Sequence, residues 1–282
     1  MEKYLNTPIK EVITQFPKIA DILNGYNIGC VPCNVGSCLL KDIVEIHNLS
    51  IEQEQELLTN MAEVIYPGKK VAVLQIKRKP PLKAGQLKYS PPIKKLVDEH
   101  VLIKKWIALI PEVIKNLNLE SKEGKQIIFD GLDFIRSYAD KFHHAKEEEI
   151  LFKYFDEDLD IVKTMLADHE TARSHVKTIV EAVHKKDRLA ISEHLNGYKD
   201  LLSEHIKKED EILYPWMERN LSIRQVGELF NKFNAADQKI GEVVPQRCER
   251  FIKSLEEKLR SQRKIATADS ADNLRNRRLQ SA

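Results

Sequence analysis

Two short segments of this chain repeat the residue types that bind metals. FHHAKEEEILF at residues 142–152 and EHIKKEDEILY at 204–214 are identical at six of eleven positions. Each copy places a Glu four residues after a His, and in an α-helix two such side chains lie about 40° apart on one face. Each copy can therefore present one imidazole and one carboxylate to a common centre. The ligand-type residues are His143 and Glu147 in the first copy and His205 and Glu209 in the second.

Two single histidines complete a predicted metal site. His100 in LVDEHVLI and His169 in MLADHETA each follow an acidic residue in a segment with helical periodicity. Imidazoles combined with carboxylates that are free to bridge suit two closely spaced ions, and they favour iron or manganese over a closed structural zinc site. An isolated His-x-x-x-Glu pair is usually a surface feature, but two aligned copies and two further histidines favour metal binding. The predicted ligands are His100, His143, Glu147, His169, His205 and Glu209.

The segments that carry these residues have the periodicity of amphipathic helices. Apolar side chains recur at steps of three and four residues, as in Ile93, Leu96 and Val97, which is the spacing of one helix face. Because short connections between long helices favour antiparallel neighbours, we expect an all-α fold built on an up-and-down antiparallel four-helix bundle. The predicted helices span about 93–118, 124–155, 158–185 and 188–218.

Charge and proline content divide the chain into further segments. Residues 1–65 hold four basic and nine acidic side chains, and we expect a small helical Cys-containing domain there. Residues 66–92 hold seven Lys or Arg, no acid and five Pro, which is typical of an extended, semi-rigid linker. After the metal-binding bundle at 93–220, we expect a C-terminal helical extension at 221–262 and a disordered, Arg-rich tail at 263–282.

Composition argues against several classes of protein. With 42% hydrophobic and 31% charged residues, wholesale disorder is not expected. The chain has no apolar run of membrane-spanning length, and its charged first residues, MEKYLNTPIKEV, are unlike a signal peptide. We therefore expect a cytoplasmic protein with no membrane contact. The basic linker carries no recognised nucleic-acid-binding motif, so a nucleic-acid partner is not expected.

The stretches FHHAKEEEILF, DHETAR and HIKKEDEILYPW resemble the hemerythrin-like HHE cation-binding family, whose four-helix bundles hold a non-haem di-iron centre. The resemblance covers roughly residues 93–220 and implies two iron ions bound by the six predicted ligands. The oxygen-carrying members have a further His four residues after the third-helix ligand, where this chain has Arg173. With four His and two Glu, the site is more similar to that of the di-iron proteins associated with nitric-oxide stress and iron-sulfur cluster repair.

Two positions leave the ligand set open. The carriers place their last bridging carboxylate five residues after the fourth-helix His, and this sequence offers both Glu209 at four residues and Asp210 at five. Since the fifth residue of an α-helix points about 140° away, we favour Glu209. His144 and Glu148 lie one residue beyond predicted ligands, and either could touch metal, support a ligand or face solvent.

A cysteine cluster is the second chemical feature. Cys30, Cys33 and Cys38 have the spacing C-x2-C-x4-C, and their segment resembles the small Cys-bearing domain that precedes hemerythrin-like domains, including those of cluster-repair proteins. Three thiols are one short of the usual four-thiolate zinc or iron-sulfur site. A fourth ligand could come from His47, Cys248 or a partner, or there could be none. A redox-active or NO-reactive thiol pair is the alternative to a bound metal or iron-sulfur cluster.

Three functions fit these features. The first is a di-iron protein that handles nitric oxide, oxygen or iron in stress response or iron-sulfur cluster repair. It would bind a small diatomic ligand and interact with an electron donor or an iron-sulfur client protein. The second is a non-catalytic sensor of O2, NO or iron that signals through its Cys domain, and the third is an iron-binding protein without chemistry. The sequence leaves turnover and oligomeric state open.

Overall fold

Helices make up nearly all of the regular structure in the computed structural model, which describes residues 2–26, 28, 39–47, 49–69 and 88–280. These residues contain no β-strand, and a single antiparallel bridge joins Pro8 to Leu39. The prediction of an all-α protein is therefore confirmed. No helix of the described segments has the length and apolar character needed to cross a bilayer.

The α-helices are numbered in chain order. Those of the N-terminal region are α1 (Glu2–Leu5), α2 (Ile9–Gln15), α3 (Lys18–Gly25), α4 (Leu40–Ile46) and α5 (Ile51–Ile65). The next are α6 (Pro91–Lys115), α7 (Lys122–Phe134), α8 (Asp160–Lys185) and α9 (Arg188–Lys208). The last are α10 (Tyr214–Asn220), α11 (Ile223–Ile240) and α12 (Val243–Gln280), and the break before α12 falls at Gly241, whose φ of +75° favours glycine. The helix α12 covers most of the segment for which the sequence predicted a disordered tail.

Both copies of the His-x-x-x-Glu repeat contain π-helical backbone. The π segments are π1 (Ile135–His144), π2 (Glu147–Leu151) and π3 (Glu209–Leu213), and a short 3-10 turn, Phe152–Tyr154, follows π2. In a π turn the hydrogen bond joins residues five apart, so side chains four and five positions apart both lie near one face. The α-helical angle used to separate Glu209 from Asp210 therefore does not apply at this point.

The described chain forms two compact units, each built from segments that are distant in sequence. The first unit comprises Met1–Lys94, Leu151–Ala167 and His205–Phe230. The second unit comprises Lys95–Ile150, Asp168–Glu204 and Asn231–Ala282.

The N-terminal helices of the first unit have a hydrophobic core of their own. The helix α5 begins with a capping box, in which Ser50 Oγ accepts from the Gln53 backbone N–H at 3.1 Å and Gln53 Oε1 accepts from the Ser50 N–H at 2.9 Å. This cap fixes the start of a helix that packs on α3 and contributes to a core shared by the N-terminal helices. The buried residues are Leu5, Ile9, Val12, Ile19, Leu23, Ile28, Leu40, Ile43, Val44, Leu49, Leu57, Leu58, Met61 and Ile65.

Trp106 on α6 is the largest buried side chain of the second unit, and it packs directly on a glycine. A Cβ atom on Gly131 of α7 would lie 2.4 Å from the Trp106 ring. The rings of Phe134 and Phe251 also lie beside the indole, with centroids 6.0 and 5.9 Å away. The indole is thus held by α7 and α12, and Gly131 is required for the close approach of α6 and α7.

Gly131→Ala is expected to destabilise the protein by about 1–3 kcal/mol, because the added methyl group would overlap the buried Trp106 ring. Gly227→Ala in α11 is the matched control, since a Cβ there meets nothing within 4 Å. The control should gain about 0.5–1 kcal/mol from helix propensity. Urea unfolding of the metal-free protein measures both. Equal stability of the two variants would contradict the packing argument.

Candidate metal centre

The second unit brings together four of the six predicted ligands. His100 lies on α6, His143 on π1, Glu147 on π2 and His169 on α8. All four are buried, with exposed fractions of 0% or 1%. Burying so many ionisable groups together is unfavourable unless they are paired, hydrogen-bonded or bound to a metal. The sequence predicted these residues from the repeat and from the helical spacing.

The first contact is between the imidazoles of His100 and His143. Their Nε2 atoms lie 2.9 Å apart. Two ligand atoms at about 2.1 Å from one ion are separated by about 3.0 Å when they subtend 90° and by about 4.2 Å when they are opposite each other. The separation fits a hydrogen bond between the two imidazoles, and it also fits neighbouring ligands on a single ion.

Glu147 lies between two imidazoles. Its Oε2 atom is 3.7 Å from His143 Nε2 and 3.6 Å from His169 Nε2. Both distances are too long for a direct hydrogen bond, and both fall within the range for two ligands of one ion. This carboxylate oxygen faces imidazoles from two different helices and is placed to share a metal ion with them.

His144 is a residue that the sequence left undecided. It belongs with Glu147 and His169 to a buried group whose potential ligand atoms lie within 4.8 Å of one another. Its ring stacks on the His169 ring at a centroid distance of 3.9 Å and an angle of 15°. The π-helical backbone of π1 accounts for this, because it brings consecutive histidines nearer to the same face. His144 is therefore a further candidate ligand.

Glu148 orients His169. Its Oε1 atom lies 2.6 Å from His169 Nδ1 and also accepts from Arg173 Nη2 at 2.6 Å. Burial raises the pKa of Glu148, but the hydrogen bonds and charges of His169 and Arg173 outweigh it, and the pKa lies below its usual value. The ionised carboxylate fixes the proton on Nδ1 and leaves Nε2 available to a metal.

Arg173 occupies the position at which the sequence departs from the oxygen carriers. Its Nε donates to Asp140 Oδ1 at 2.9 Å, and its Nη1 donates to Glu170 at 2.8 Å. With Glu148 these make three carboxylates around one guanidinium. Arg173 thus holds the carboxylate that orients His169.

His143 has a carboxylate of the same kind, which the sequence did not identify. Glu99 Oε2 on α6 lies 2.9 Å from His143 Nδ1. Glu99 directly precedes His100 in the sequence, yet it contacts the histidine of a different helix. No sequence signal indicates this contact, because it joins residues 44 positions apart on different helices.

His205 and Glu209 form the corresponding pair in the first unit. Both side chains are completely buried, and His205 Nε2 lies 3.2 Å from Glu209 Oε1. Asp210 is only partly buried, and its backbone carbonyl accepts a hydrogen bond from Tyr89 Oη at 3.2 Å. Burial therefore favours Glu209 over Asp210 as the ligand of this segment.

A cavity of about 140 Å³ lies beside His144 and His169 in the second unit. Tyr198 and Arg173 contribute to its wall. The Tyr198 hydroxyl is buried, with no hydrogen-bonding group within reach among the described residues. Burial, and then the charge of Asp140, raises the pKa of Tyr198. The phenol therefore stays protonated and can donate to a small ligand.

The N-terminal thiols Cys30, Cys33 and Cys38 lie outside the described residues. Cys248 is described, and it is buried with its Sγ 3.7 Å from Ser137 Oγ. Burial raises the pKa of the Cys248 thiol, which disfavours the thiolate needed for reactivity. His47 is partly buried, and burial lowers its pKa to about 4.

Residues 91–217 match the family model described as the hemerythrin HHE cation binding domain. No curated protein and no solved structure matches the chain. The match covers somewhat less than half of the 282 residues, and it bears out the predicted resemblance to this family for this segment. The described His and Glu cluster fits the cation binding that the family description names. All six predicted ligands fall inside the matched segment.

Proposed function

We propose that residues 93–220 form an up-and-down antiparallel four-helix bundle that holds a non-haem di-iron centre. The observation that carries this proposal is the position of the Glu147 Oε2 atom between the Nε2 atoms of His143 and His169. The proposed ligands are His100, His143, Glu147, His169, His205 and Glu209, with His144 as an additional candidate.

Two further observations support a dinuclear iron centre. The repeat makes His205 and Glu209 the counterparts of His143 and Glu147, and both are fully buried. Two His-x-x-x-Glu helices with two additional histidines supply a mixed set of imidazoles and carboxylates, which suits iron. The family match covers both copies of the repeat.

The chain's own groups prepare this centre for a small ligand. Two iron ions held by four imidazoles and two carboxylates would keep open positions for a diatomic ligand such as NO or O2. Glu99 and Glu148 hold the Nδ1 protons of His143 and His169, so that both Nε2 atoms face inward. The cavity beside His169 offers such a ligand room, and Tyr198 offers a hydrogen-bond donor.

On this basis the protein handles nitric oxide, oxygen or iron in stress response or in iron-sulfur cluster repair. The thiols of Cys30, Cys33 and Cys38 would supply electrons, hold iron in transit or react with NO. An electron donor or an iron-sulfur client protein is the proposed partner.

The test is iron content and NO consumption of the full chain purified without oxygen. We expect about two irons per chain, both in the native protein and in a Cys30→Ser, Cys33→Ser, Cys38→Ser variant. The reduced native protein should consume NO over repeated additions of reductant. NO binding without consumption would favour the sensor, and a metal-free chain that takes up no added iron would overturn the proposed centre.

A further inference from the structure

A completely buried lysine lies next to the candidate metal ligands. Lys146, between π1 and π2, is 1% exposed, and lysine is seldom buried so fully without paired charges. Its Nζ donates to Glu99 Oε1 in a close contact and to Asp237 Oδ1 at 3.1 Å. The same ammonium lies 3.7 Å from the ring centroid of Phe142, a cation–π distance.

These contacts form a continuous path to a metal ligand. Asp237 binds Lys146, Lys146 binds Glu99, and the other oxygen of Glu99 lies 2.9 Å from His143 Nδ1. Lys95 donates to the second oxygen of Asp237. The path contains two lysines and two carboxylates, so its charges balance, as burial of ion pairs requires.

The last carboxylate of the path comes from outside the matched domain. Asp237 lies on α11, whereas the family match ends at residue 217. Residues of the matched segment alone would leave Lys146 with a single carboxylate, Glu99. The Lys146 ammonium would then compete with the His143 Nδ1–H for both oxygens of the Glu99 carboxylate. By sharing Lys146, Asp237 keeps one Glu99 oxygen on His143.

We propose that Asp237 is a positioning residue of the metal centre. Through Lys146 and Glu99 it keeps the Nε2 atom of His143 directed at the ion, so the extension after the matched domain takes part in metal retention. This inference rests on the proposed centre. A charge network that only attached α11 to its unit would affect folding stability but not metal retention.

The experiment measures the rate of iron release from the holoprotein to an excess of ferrous chelator. Asp237→Asn keeps the shape and removes the charge, and it should speed the release of one of the two irons about tenfold, the lower end of the effect of residues that support ligands. Asp237→Glu keeps the charge and should restore slow release. The Mössbauer spectrum of Asp237→Asn should change in one of its two iron signals.

Asp133→Asn is the matched control, because Asp133 forms an exposed pair with Arg247 of α12 at 2.8 Å and has no contact with the path to His143. It should release iron at the native rate. If Asp237→Asn does not fold, Lys95→Met is measured in its place: it leaves Asp237 to Lys146 alone and should keep iron release at or below the native rate, and faster release would count against the path.

Thermal unfolding of the metal-free and metal-loaded forms distinguishes a positioning role of Asp237 from a charge network that only attaches α11 to its unit. If Asp237 is a positioning residue, Asp237→Asn should reduce the difference in unfolding midpoint between the metal-loaded and metal-free forms. Native release rates and an unchanged difference would overturn the inference and leave the di-iron centre intact. A native protein that binds no iron would instead overturn the proposed centre itself.

Discussion

His143→Ala and His205→Ala are expected to reduce the bound iron from about two ions per chain to one or none. Each histidine is buried beside the carboxylate of its own repeat, and removing the imidazole leaves that site with too few donors to hold a metal. Metal bound only by the folded state stabilises it by about 4 kcal/mol at a thousandfold excess over its Kd. Elemental analysis measures the iron, and thermal unfolding with and without iron measures the lost stabilisation.

His184→Ala is the matched control, because His184 lies exposed in the last turn of α8. It should keep both irons and the full stabilisation. Circular dichroism of the metal-free variants checks that the helices remain. Retention of both ions by His205→Ala would remove that residue from the ligand set and leave the centre to the second unit.

The helical class and the His and Glu pairs of the repeat could be predicted from the sequence because both depend on local spacing. His143 and Glu147 were found from a four-residue interval, and the structure places both in the interior of the second unit. His144 could not be assigned in this way, since its position depends on π-helical backbone. Propensity gives no indication of such a turn, which forms where packing on neighbouring helices outweighs α-helical hydrogen bonding.

The groups that support the ligands were harder to identify than the ligands. Glu99 is adjacent to one histidine and hydrogen-bonds another, and Lys146 is a lysine in a charged stretch that turns out to be buried. A one-dimensional pattern cannot separate a charged residue on a solvated helix face from one in a paired interior network. The repeat even aligns Lys146 with Lys208, which is not fully buried. Tertiary contacts, rather than residue type, distinguish the two.

Glu148→Ala is expected to speed iron release about 10- to 100-fold, because carboxylates that orient a ligating histidine typically contribute that much to metal affinity. The carboxylate is hydrogen-bonded to both His169 Nδ1 and Arg173. Without it, the imidazole is free to rotate and to move its proton to the nitrogen that faces the metal. Glu148→Gln keeps an oxygen acceptor but removes the charge, so its rate of iron release should lie between those of Glu148→Ala and the native protein. Release to a ferrous chelator measures all three.

Glu149→Ala is the control for this series, since Glu149 is the next residue and is exposed. It should match the native rate. The iron stoichiometry before release distinguishes two of the three roles that the sequence left open for Glu148, that of a ligand and that of a residue that supports a ligand. Two irons that leave quickly indicate a carboxylate that orients His169, whereas one iron in Glu148→Ala would make Glu148 itself a ligand. Native release from Glu148→Ala would mean that packing against the His144 ring alone holds His169 in place.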